Sequence, residues 1–462
     1  MTPAPTPRAA VVDRSRLPEP GPARPFAFPA IEKSTLANGL GVWTVRHPGV
    51  PLVAFTLLIR RGAAADPPGR EGLAAVTADM LDEGSGDRSA IDMHEALARL
   101  GAQFDTDIGS DATVASLTVL ARFADRALNL LSDMVVRPAL RDEDFVRVRQ
   151  LRLHRLTQVR DMPGAVADRA FLKLLYGGHP YGHPPVGRES TLAVMTSDDV
   201  RAFHARSIRP SAATLIAAGD CDHEAVVRLA AGAFGDWRGA VDGDGVATGL
   251  PATMSRIHIV PRPRAPQSEL RIGQVSVARD TPDYHALVVA NTILGGQFIS
   301  RINANLREDK GLTYGARTAF EFRRLSGPFV LQAGVQNSGT ARAIEESIGE
   351  IAGIRGPRPV TSEELALGVA ALTRGYARNF ETAEQFGRAA LQLALYDLPD
   401  DYFEQFVSRV ERVTSLEVSR VMERHLDPAR LTTLVVGDLE VIGEDVSRLG
   451  FGDPIVLTPD AY

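Results

Sequence analysis

The sequence has little of several features that would define whole classes of protein. Its 462 residues include a single cysteine, Cys221, which excludes an internal disulfide and a metal site built from several thiolates. No apolar run approaches the roughly 18 residues of a membrane-spanning helix, so no membrane partner is expected. The formal net charge of −6 argues against nucleic acid as the main partner.

The N-terminal segment, residues 1–31, also lacks the apolar core of a signal peptide. Eight prolines fall within its first thirty residues, which predicts a disordered or loosely wrapped arm. We therefore expect a cytoplasmic protein, or a periplasmic one if a leader has been removed.

What the chain does contain is an internal duplication. Eight identities recur over 25 aligned positions at a constant offset of 218 residues. They pair Thr196-Ser197, Val200, Arg206, Pro210, Thr214 and Gly219-Asp220 with Thr414-Ser415, Val418, Arg424, Pro428, Thr432 and Gly437-Asp438. In both copies Thr-Ser is expected to begin a helix, which ends before the proline and is followed by a strand.

The duplication predicts two homologous domains, at residues 32–235 and 255–462. The intervening residues 236–254 are rich in glycine and predict a flexible linker that would let the halves change their angle. Alternating apolar strands such as Leu52–Arg60 and Thr113–Leu120 accompany long helices such as Asp142–Asp161. This order is typical of an α+β fold in which each domain packs helices on an antiparallel sheet.

One segment of the first half, Arg60–Gly84, has the pattern of a buried helix. Asp66-Pro67-Pro68-Gly69 predicts a turn before it, and Gly84 a stop after it. Between them, apolar positions recur at the spacing of one helical face, at Leu73, Val76, Thr77, Met80 and Leu81.

This segment resembles the inverted zinc motif H-x-x-E-H of the pitrilysin, insulinase and mitochondrial-processing-peptidase family. The residues that flank the motif are matched by Gly72-Leu73-Ala74 and Met80-Leu81, but the residues at the metal-binding positions differ from the motif. Ala75, Ala78 and Asp79 stand where the resemblance implies His, Glu and His, and Val148 stands where it implies the third ligand, a glutamate. A catalytic zinc needs three protein donors and a base, so no metal is expected in this chain.

A second segment, Leu306–Gly315, carries an arginine and a tyrosine seven residues apart. Gly311 is expected to end a helix and Leu312 to begin a strand, which would bring Arg307 and Tyr314 to one edge. The residues alone allow either a pair of oxyanion donors or a solvated arginine beside an ordinary strand tyrosine. L-R-E-x-x-G-L-x-Y resembles the second-domain signature of the same family, and the resemblance implies that Arg307 and Tyr314 contact substrate.

Other segments leave alternatives open. Gly295-Gly296 lies where related subunits carry a glycine-rich substrate loop, but the stretch is short and favours a helix break over a mobile loop. His179 and His183 lie in a Gly- and Pro-rich stretch that disfavours a metal site, and Cys221 lies among acids that disfavour a thiolate. A series of arginines along residues 147–160 predicts a solvated face or the lining of a chamber. Residues 101–106 resemble the family's substrate-pairing edge strand, with Asp105 and Thr106 departing from it.

The resemblance as a whole implies a non-catalytic subunit that forms half of a clamshell. Its expected partner is a homologous subunit that carries zinc, and the two would enclose peptide substrates. Arg307 and Tyr314 would then reach the active site of that partner. The alternative is a catalytically inert scaffold, which has no reason to keep these two side chains.

Overall fold

A computed structural model describes residues 15, 26–241, 249 and 256–458. Within these ranges the chain forms two six-stranded sheets, one from each half, together with helices and a two-stranded hairpin. The α+β organisation in two homologous halves is therefore confirmed. The predicted linker, 236–254, falls largely outside the described residues.

The first sheet has the strand order β1-β2-β8-β3-β7-β6. All neighbouring strands are antiparallel except β2 and β8, which are parallel, so the sheet is mixed and not purely antiparallel. The strands of the first half, including the small hairpin β4–β5, are β1 (Ile31–Thr35), β2 (Gly41–Arg46), β3 (Leu52–Ile59), β4 (Gly84–Ser85), β5 (Arg88–Ser89), β6 (Gln103–Ile108), β7 (Thr113–Leu120) and β8 (Ala213–Gly219).

The first half contains eight α-helices among its described residues, and the predicted helix Asp142–Asp161 has the bounds expected. They are α1 (Leu73–Asp79), α2 (Ala90–Leu100), α3 (Ala124–Val136), α4 (Asp142–Asp161), α5 (Pro163–Tyr176), α6 (Glu189–Ala193), α7 (Ser197–Ser207) and α8 (His223–Phe234). Short 3-10 turns occur at Ala63–Ala65, Ala121–Phe123, Pro180–Gly182 and Pro210–Ala212.

The second sheet repeats the arrangement of the first, in the order β14-β9-β13-β10-β12-β11. Here β13 and β14 both pair in parallel with β9, and the remaining pairs are antiparallel. Its strands are β9 (Ile257–Pro261), β10 (Gln267–Val275), β11 (Thr313–Phe320), β12 (Pro328–Gln336), β13 (Thr432–Gly437) and β14 (Ile455–Val456).

The helices of the second half include two π-helical segments, Thr292–Gly296 and Ala304–Asp309. The α-helices are α9 (Tyr284–Asn291), α10 (Arg301–Asn303), α11 (Thr340–Ile354), α12 (Ser362–Thr373), α13 (Ala383–Tyr396), α14 (Tyr402–Glu411), α15 (Ser415–His425) and α16 (Leu439–Ser447). The 3-10 turns are Asn337–Gly339, Tyr376–Asn379 and Pro428–Arg430. None of the helices in the described ranges is long and apolar enough to cross a membrane.

The duplicated sequence occupies equivalent places in the two halves. Thr196 begins α7 and Thr414 begins α15, each through a reciprocal capping box that satisfies the first free N–H groups of the helix. The strands that follow, β8 and β13, are fully built into the interior of their sheets. The constant offset of 218 residues therefore reflects a repeated helix-strand unit.

The two halves exchange helices. Helix α13 of the second half packs on β3 and β8 of the first sheet, and α5 of the first half packs on β10 and β13 of the second sheet. Each sheet is thus covered on one face by a helix from the other half. A free change of angle about the linker, expected from its glycines, would require both helices to leave the sheets that they cover.

Small residues let α13 approach the first sheet closely. Gly387 faces it, since a Cβ at this position would lie 3.3 Å from Oγ1 of Thr56 on β3 and 3.9 Å from Cβ of Ala218 on β8. One turn earlier, Cβ of Ala383 lies against Gly219 at the end of β8. The contact therefore depends on the absence of larger side chains along this face of α13.

The reciprocal contact of α5 combines apolar packing with a buried cation. Val166 and Ala170 of α5 belong to one cluster with Leu434 of the second sheet. Beside them Arg271 of β10, with its side chain 4% exposed, places Nε 2.7 Å from Oδ1 of Asp168 on α5. A guanidinium buried in this way fixes the direction of the helix as well as its position.

The end of the N-terminal arm is more ordered than its composition predicts. Phe26 stacks on Phe380 with ring centroids 4.5 Å apart, and Phe28 contacts Phe386 and Phe403. Phe26 and Phe28 therefore pack on the second half, since burial of two aromatic rings offsets the cost of ordering this part of the chain. The earlier part of the arm, apart from residue 15, lies outside the described residues.

A test of the helix exchange compares two glycines in the middle of helices. We expect Gly387→Leu to lower the free energy of unfolding by about 1–3 kcal/mol, because the side chain must enter the contact between α13 and the first sheet. Gly349→Leu on α11 is the matched control, because nothing lies within 4 Å of its Cβ position. It should be neutral or stabilise the protein by up to about 1 kcal/mol. Equal effects of the two substitutions in urea unfolding would contradict the packing described.

Candidate functional site

The helix that corresponds to the zinc motif, α1, begins where a buried carboxylate holds its N-terminus. The two oxygens of Asp66 each accept a hydrogen bond of 2.7 Å, one from the N–H of Gly72 and one from that of Ala74. The predicted face is buried, but the helix ends at Asp79 and not near Gly84. Gly84 instead has a φ of 118° and forms part of the β4–β5 hairpin, whose backbone leaves no room for a Cβ.

The positions of the expected metal ligands are filled by apolar side chains and an ion pair. Ala75, Ala78 and Val148 are all at most 3% exposed, and Val148 of α4 packs in the same cluster as the apolar face of α1. Asp79 points to Arg152 of α4, whose Nε lies 2.7 Å from Oδ2 of Asp79. Since the carboxylate already binds a nearly buried guanidinium, the residues present do not fit a zinc ion.

A cleft of about 600 Å³, here called the α1 cleft, lies beside this ion pair. Its walls include Asp79 and Arg152 together with Asp105 and Thr106 of β6, which is the edge strand of the first sheet as expected. No group of three His, Cys, Asp or Glu side chains able to hold a metal ion occurs in the described part of the chain.

The segment that carries Arg307 and Tyr314 folds as its sequence predicts. The N–H of Gly311 donates to the carbonyl of Arg307 at 3.1 Å, and that of Leu312 donates to the carbonyl of Leu306 at 2.8 Å. With Gly311 at a φ of 61°, its bond to Arg307 is the αL arrangement that ends a helix. Strand β11 then begins at Thr313, so the arginine precedes the turn and the tyrosine follows it.

Arg307 and Tyr314 have different surroundings. The guanidinium of Arg307 stacks over the ring of Phe298 at 4.0 Å, and its Nε lies 3.5 Å from Oε1 of Glu308. Tyr314 lies where the pairing of β11 with β12 shifts register between Thr313 and Ala316, and it is 92% exposed. No hydrogen bond joins the two side chains within the described ranges, and both are accessible to a second molecule.

Gly295 and Gly296 end the first π-helical segment, as the helix-break interpretation predicted. A Cβ on Gly295 would lie 2.6 Å from Oγ1 of Thr318 on β11, and one on Gly296 would lie 2.7 Å from Nδ2 of Asn291. Close packing therefore explains why both positions are glycine. They also line a second cleft of about 480 Å³, here called the β11 cleft, together with Phe298 and Gly315.

The α1 cleft and the β11 cleft are separate, because they have no lining residue in common. They lie at equivalent edges of the two homologous sheets, one beside β6 and the other beside β11. The arginine and tyrosine are thus placed at a different edge from the degenerate metal position of their own chain.

The other candidates have structural partners. His179 accepts a hydrogen bond of 3.0 Å from the N–H of Tyr181, and Nε2 of His183 lies 3.2 Å from Oδ2 of Asp66. Burial raises the pKa of the Cys221 thiol to about 11, which removes the thiolate at neutral pH. Of the arginine series, Arg152 is buried in the ion pair described above and is not part of a solvated face.

Sequence reasoning missed Phe298, and it placed Arg152 in a series of arginines without its pairing with Asp79. Phe298 is 66% exposed, and only an unpaired aromatic residue directly after a glycine-rich stretch could have indicated it. Arg152 lies four residues after Val148, one helical turn along the face of α4 that meets α1. That spacing could have paired it with the carboxylate that replaces a histidine.

The two halves have homologous sheets and exchange one helix each, and α1 of the first half lies at the metal position. The class is therefore a two-domain fold of the zinc-peptidase type in which the zinc ligands are replaced. Two family models match the chain. They are Insulinase (Peptidase family M16) over residues 42–187 and Peptidase M16 inactive domain over residues 195–372. The chain belongs to the insulinase family.

Relatives and solved structures extend over most of the chain. An uncharacterized zinc protease of Mycobacterium tuberculosis is 26% identical over 432 residues, which cover 91% of this chain and 96% of the relative. Another, from Bacillus subtilis, is 25% identical over 336 residues, with 72% and 81% covered.

The fold is shared with a peptidase M16 inactive domain from Pseudomonas fluorescens at a TM-score of 0.83 and 24% identity, covering 88% of this chain and 98% of that one. It is also shared with a protease from Helicobacter pylori at a TM-score of 0.82 and 18% identity, covering 88% and 99%.

The metal position generates a direct prediction. We expect the purified chain to retain no stoichiometric zinc after dialysis and to cleave no peptide, because Ala75, Ala78 and Val148 provide no donor and Asp79 is paired. Metal analysis together with a quenched-peptide assay measures both. One tightly held zinc per chain, lost on His179→Ala or His183→Ala, would show that the metal binds elsewhere.

The ion pair that occupies this position can be tested separately. We expect Asp79→Ala to lower the free energy of unfolding by about 1–3 kcal/mol, since it leaves the buried guanidinium of Arg152 without its partner. The double variant Asp79→Ala/Arg152→Met should recover part of this loss. Glu95→Ala, which removes an exposed pair with Arg99, should change stability by less than about 0.5 kcal/mol. A double variant that is no more stable than the single one would contradict the account.

Proposed function

We propose that this chain is the non-catalytic subunit of a heterodimeric zinc peptidase of the insulinase family. The observation that carries the proposal is the contrast between the metal position and the turn that leads into β11. Ala75, Ala78 and Val148 occupy the metal position and are buried, whereas Arg307 and Tyr314, on either side of that turn, are accessible. A chain that has these two accessible donors but no zinc ligands would complete an active site whose zinc is held by another chain.

The separation of the clefts supports action on a second molecule. Tyr314 lies on β11 and Asp79 on α1, and the clefts beside these two elements share no lining residue, so the pair is placed to act on a second molecule and not at Asp79 of its own chain. An exposed phenol at a β-bulge has no packing role that would explain its position. Both points are expected if the β11 edge faces a homologous subunit with an intact H-x-x-E-H motif.

The chemistry expected of the pair is electrostatic. Peptide hydrolysis by zinc-activated water develops negative charge on the carbonyl oxygen, and the zinc would belong to the partner. In this chain the guanidinium of Arg307 and the hydroxyl of Tyr314 are hydrogen-bond donors of the type that stabilises such an oxyanion. The stack on Phe298 restricts the guanidinium before substrate arrives, which reduces the entropy lost on binding.

The competing function is that of a scaffold, which the buried ion pair at the metal position would serve equally well. The two functions differ in what they require of Tyr314, because a scaffold gains nothing from a side chain that is 92% exposed. The contribution of this hydroxyl to catalysis therefore separates them.

We expect the chain, mixed with a homologue from the same genome that carries H-x-x-E-H, to raise peptidase activity far above that of the homologue alone. Tyr314→Phe should lower kcat of the complex, and Arg307→Ala should lower it further and also raise KM. Removal of one oxyanion donor commonly costs about 10²–10³ in rate. Steady-state kinetics of the purified complexes measures these values.

The matched control is Arg342→Ala on α11, whose side chain is 61% exposed and forms no ion pair or hydrogen bond with Arg307 or Tyr314 in the described part of the chain. It should leave kcat and KM unchanged. Size-exclusion profiles of all the complexes must agree with that of the wild type. If the Arg307 and Tyr314 variants assemble normally and cleave at the wild-type rate, the scaffold function replaces the one proposed.

A further inference from the structure

A third cavity, distinct from both clefts, has a volume of about 750 Å³. It lies between the C-terminal end of α5, the loop that contains the Pro180–Gly182 turn and the turn before α1. Its walls contain five side chains that carry a positive charge, Arg61, Lys173, Arg188, Arg206 and Arg209. A cavity of this size is typical of small-molecule sites.

The walls carry little negative charge, and part of it already interacts with groups of the protein. Two carboxylates line the cavity, those of Asp66 and Glu71. The side chain of Asp66 is fully buried and accepts from the N–H groups of Gly72 and Ala74, so it balances the N-terminus of α1. Glu71 alone is left to balance the surrounding cations.

Four of these cations have no acidic partner among the described residues. Within the described ranges, Lys173, Arg188, Arg206 and Arg209 form no ion pair with a carboxylate. Lys173 instead donates to the carbonyl of Gly177 at 2.8 Å, and Arg209 to that of Arg238 at 3.2 Å. Many arginines elsewhere on this protein do have carboxylate partners, as Arg147, Arg201 and Arg358 show.

The surroundings of Lys173 disfavour its charged form. Burial lowers the pKa of this ammonium, and the nearby charge of Arg188 lowers it further, against a smaller opposing effect of Glu71. Like charges held close together raise the free energy of the empty cavity, and a bound anion would reduce it.

The positive surface continues beyond the cavity. Arg188 also lines a neighbouring cleft of about 690 Å³, together with Arg160, Arg169 and Arg262. Among the described residues, Glu189 supplies the one carboxylate in the walls of this cleft. In a protein with a net charge of −6, such a concentration of cations is a local feature and not a consequence of composition.

We propose that the cavity lined by Lys173, Arg188, Arg206 and Arg209 is a binding site for a small polyanion that bears phosphate or several carboxylates. Guanidinium groups bind both kinds of group through paired, charge-assisted hydrogen bonds. The ammonium of Lys173 adds a point charge. The site uses no residue of the β11 cleft, so it stands independently of the peptidase role.

The test is calorimetric titration of the full chain with pyrophosphate and, in a second arm, with citrate, both at low ionic strength. We expect one ligand to bind per chain, with an affinity that falls as salt is added. The arm with the tighter binding identifies phosphate or carboxylate as the preferred group. Arg188→Gln should weaken binding by about tenfold or more, the loss typical of one charge-assisted hydrogen bond.

Arg206→Gln provides a second variant at an exposed position, in case the first disturbs folding. Arg228→Gln on α8 is the control, because its side chain is 70% exposed and lies outside the cavity. It should bind as the wild type does. Absence of binding of both probes at low salt, or equal affinity in the Arg188, Arg206 and Arg228 variants, would overturn the proposal. Neither result would alter the expected kinetics of Tyr314→Phe.

Discussion

The exchange of helices between the two sheets is the constraint on which the rest of this structure depends. Because α13 covers the first sheet and α5 covers the second, neither half can bury its own sheet alone. The edges of the sheets, β6 and β11, are therefore held in a fixed relation by packing and not by the linker. Gly387 contributes to this arrangement because its small volume lets α13 approach the first sheet. Arg271 contributes because its buried charge holds α5 on the second sheet.

The position that corresponds to the metal site is filled by packed side chains and is not an empty space. Two alanines and Val148 join the apolar contact between α1 and α4, and the carboxylate of Asp79 neutralises a guanidinium that has entered from α4. Removing zinc ligands from a helix without replacing their interactions would leave buried groups unpaired, which is costly. The fold thus keeps its shape at this edge, although the side chains at the metal position do not fit a zinc ion. The second edge keeps two accessible donors, Arg307 and Tyr314.

Much of this could be predicted from local pattern. The bounds of α4 follow from a run of helix-forming residues. The capping boxes at Thr196 and Thr414 follow from the repeated Thr-Ser pair at the start of each helix. What could not be predicted depends on contacts between distant residues. The parallel pairing of β2 with β8 and the stacking of Arg307 on Phe298 leave no pattern in the neighbouring sequence. The face of α13 that carries Ala383 and Gly387 also has the pattern of an ordinary helix, so its close contact with the first sheet could not be predicted.

The central claim is that this chain contributes donors, and no metal, to an active site shared with another chain. Titration of a zinc-bearing homologue with this chain, followed by native mass spectrometry and peptide cleavage on the same samples, tests it most directly. The account predicts that activity rises until the ratio is 1:1, and that the complex holds one zinc ion for every two chains. Activity that does not change as this chain is added, or a second zinc ion that arrives with it, would contradict the account.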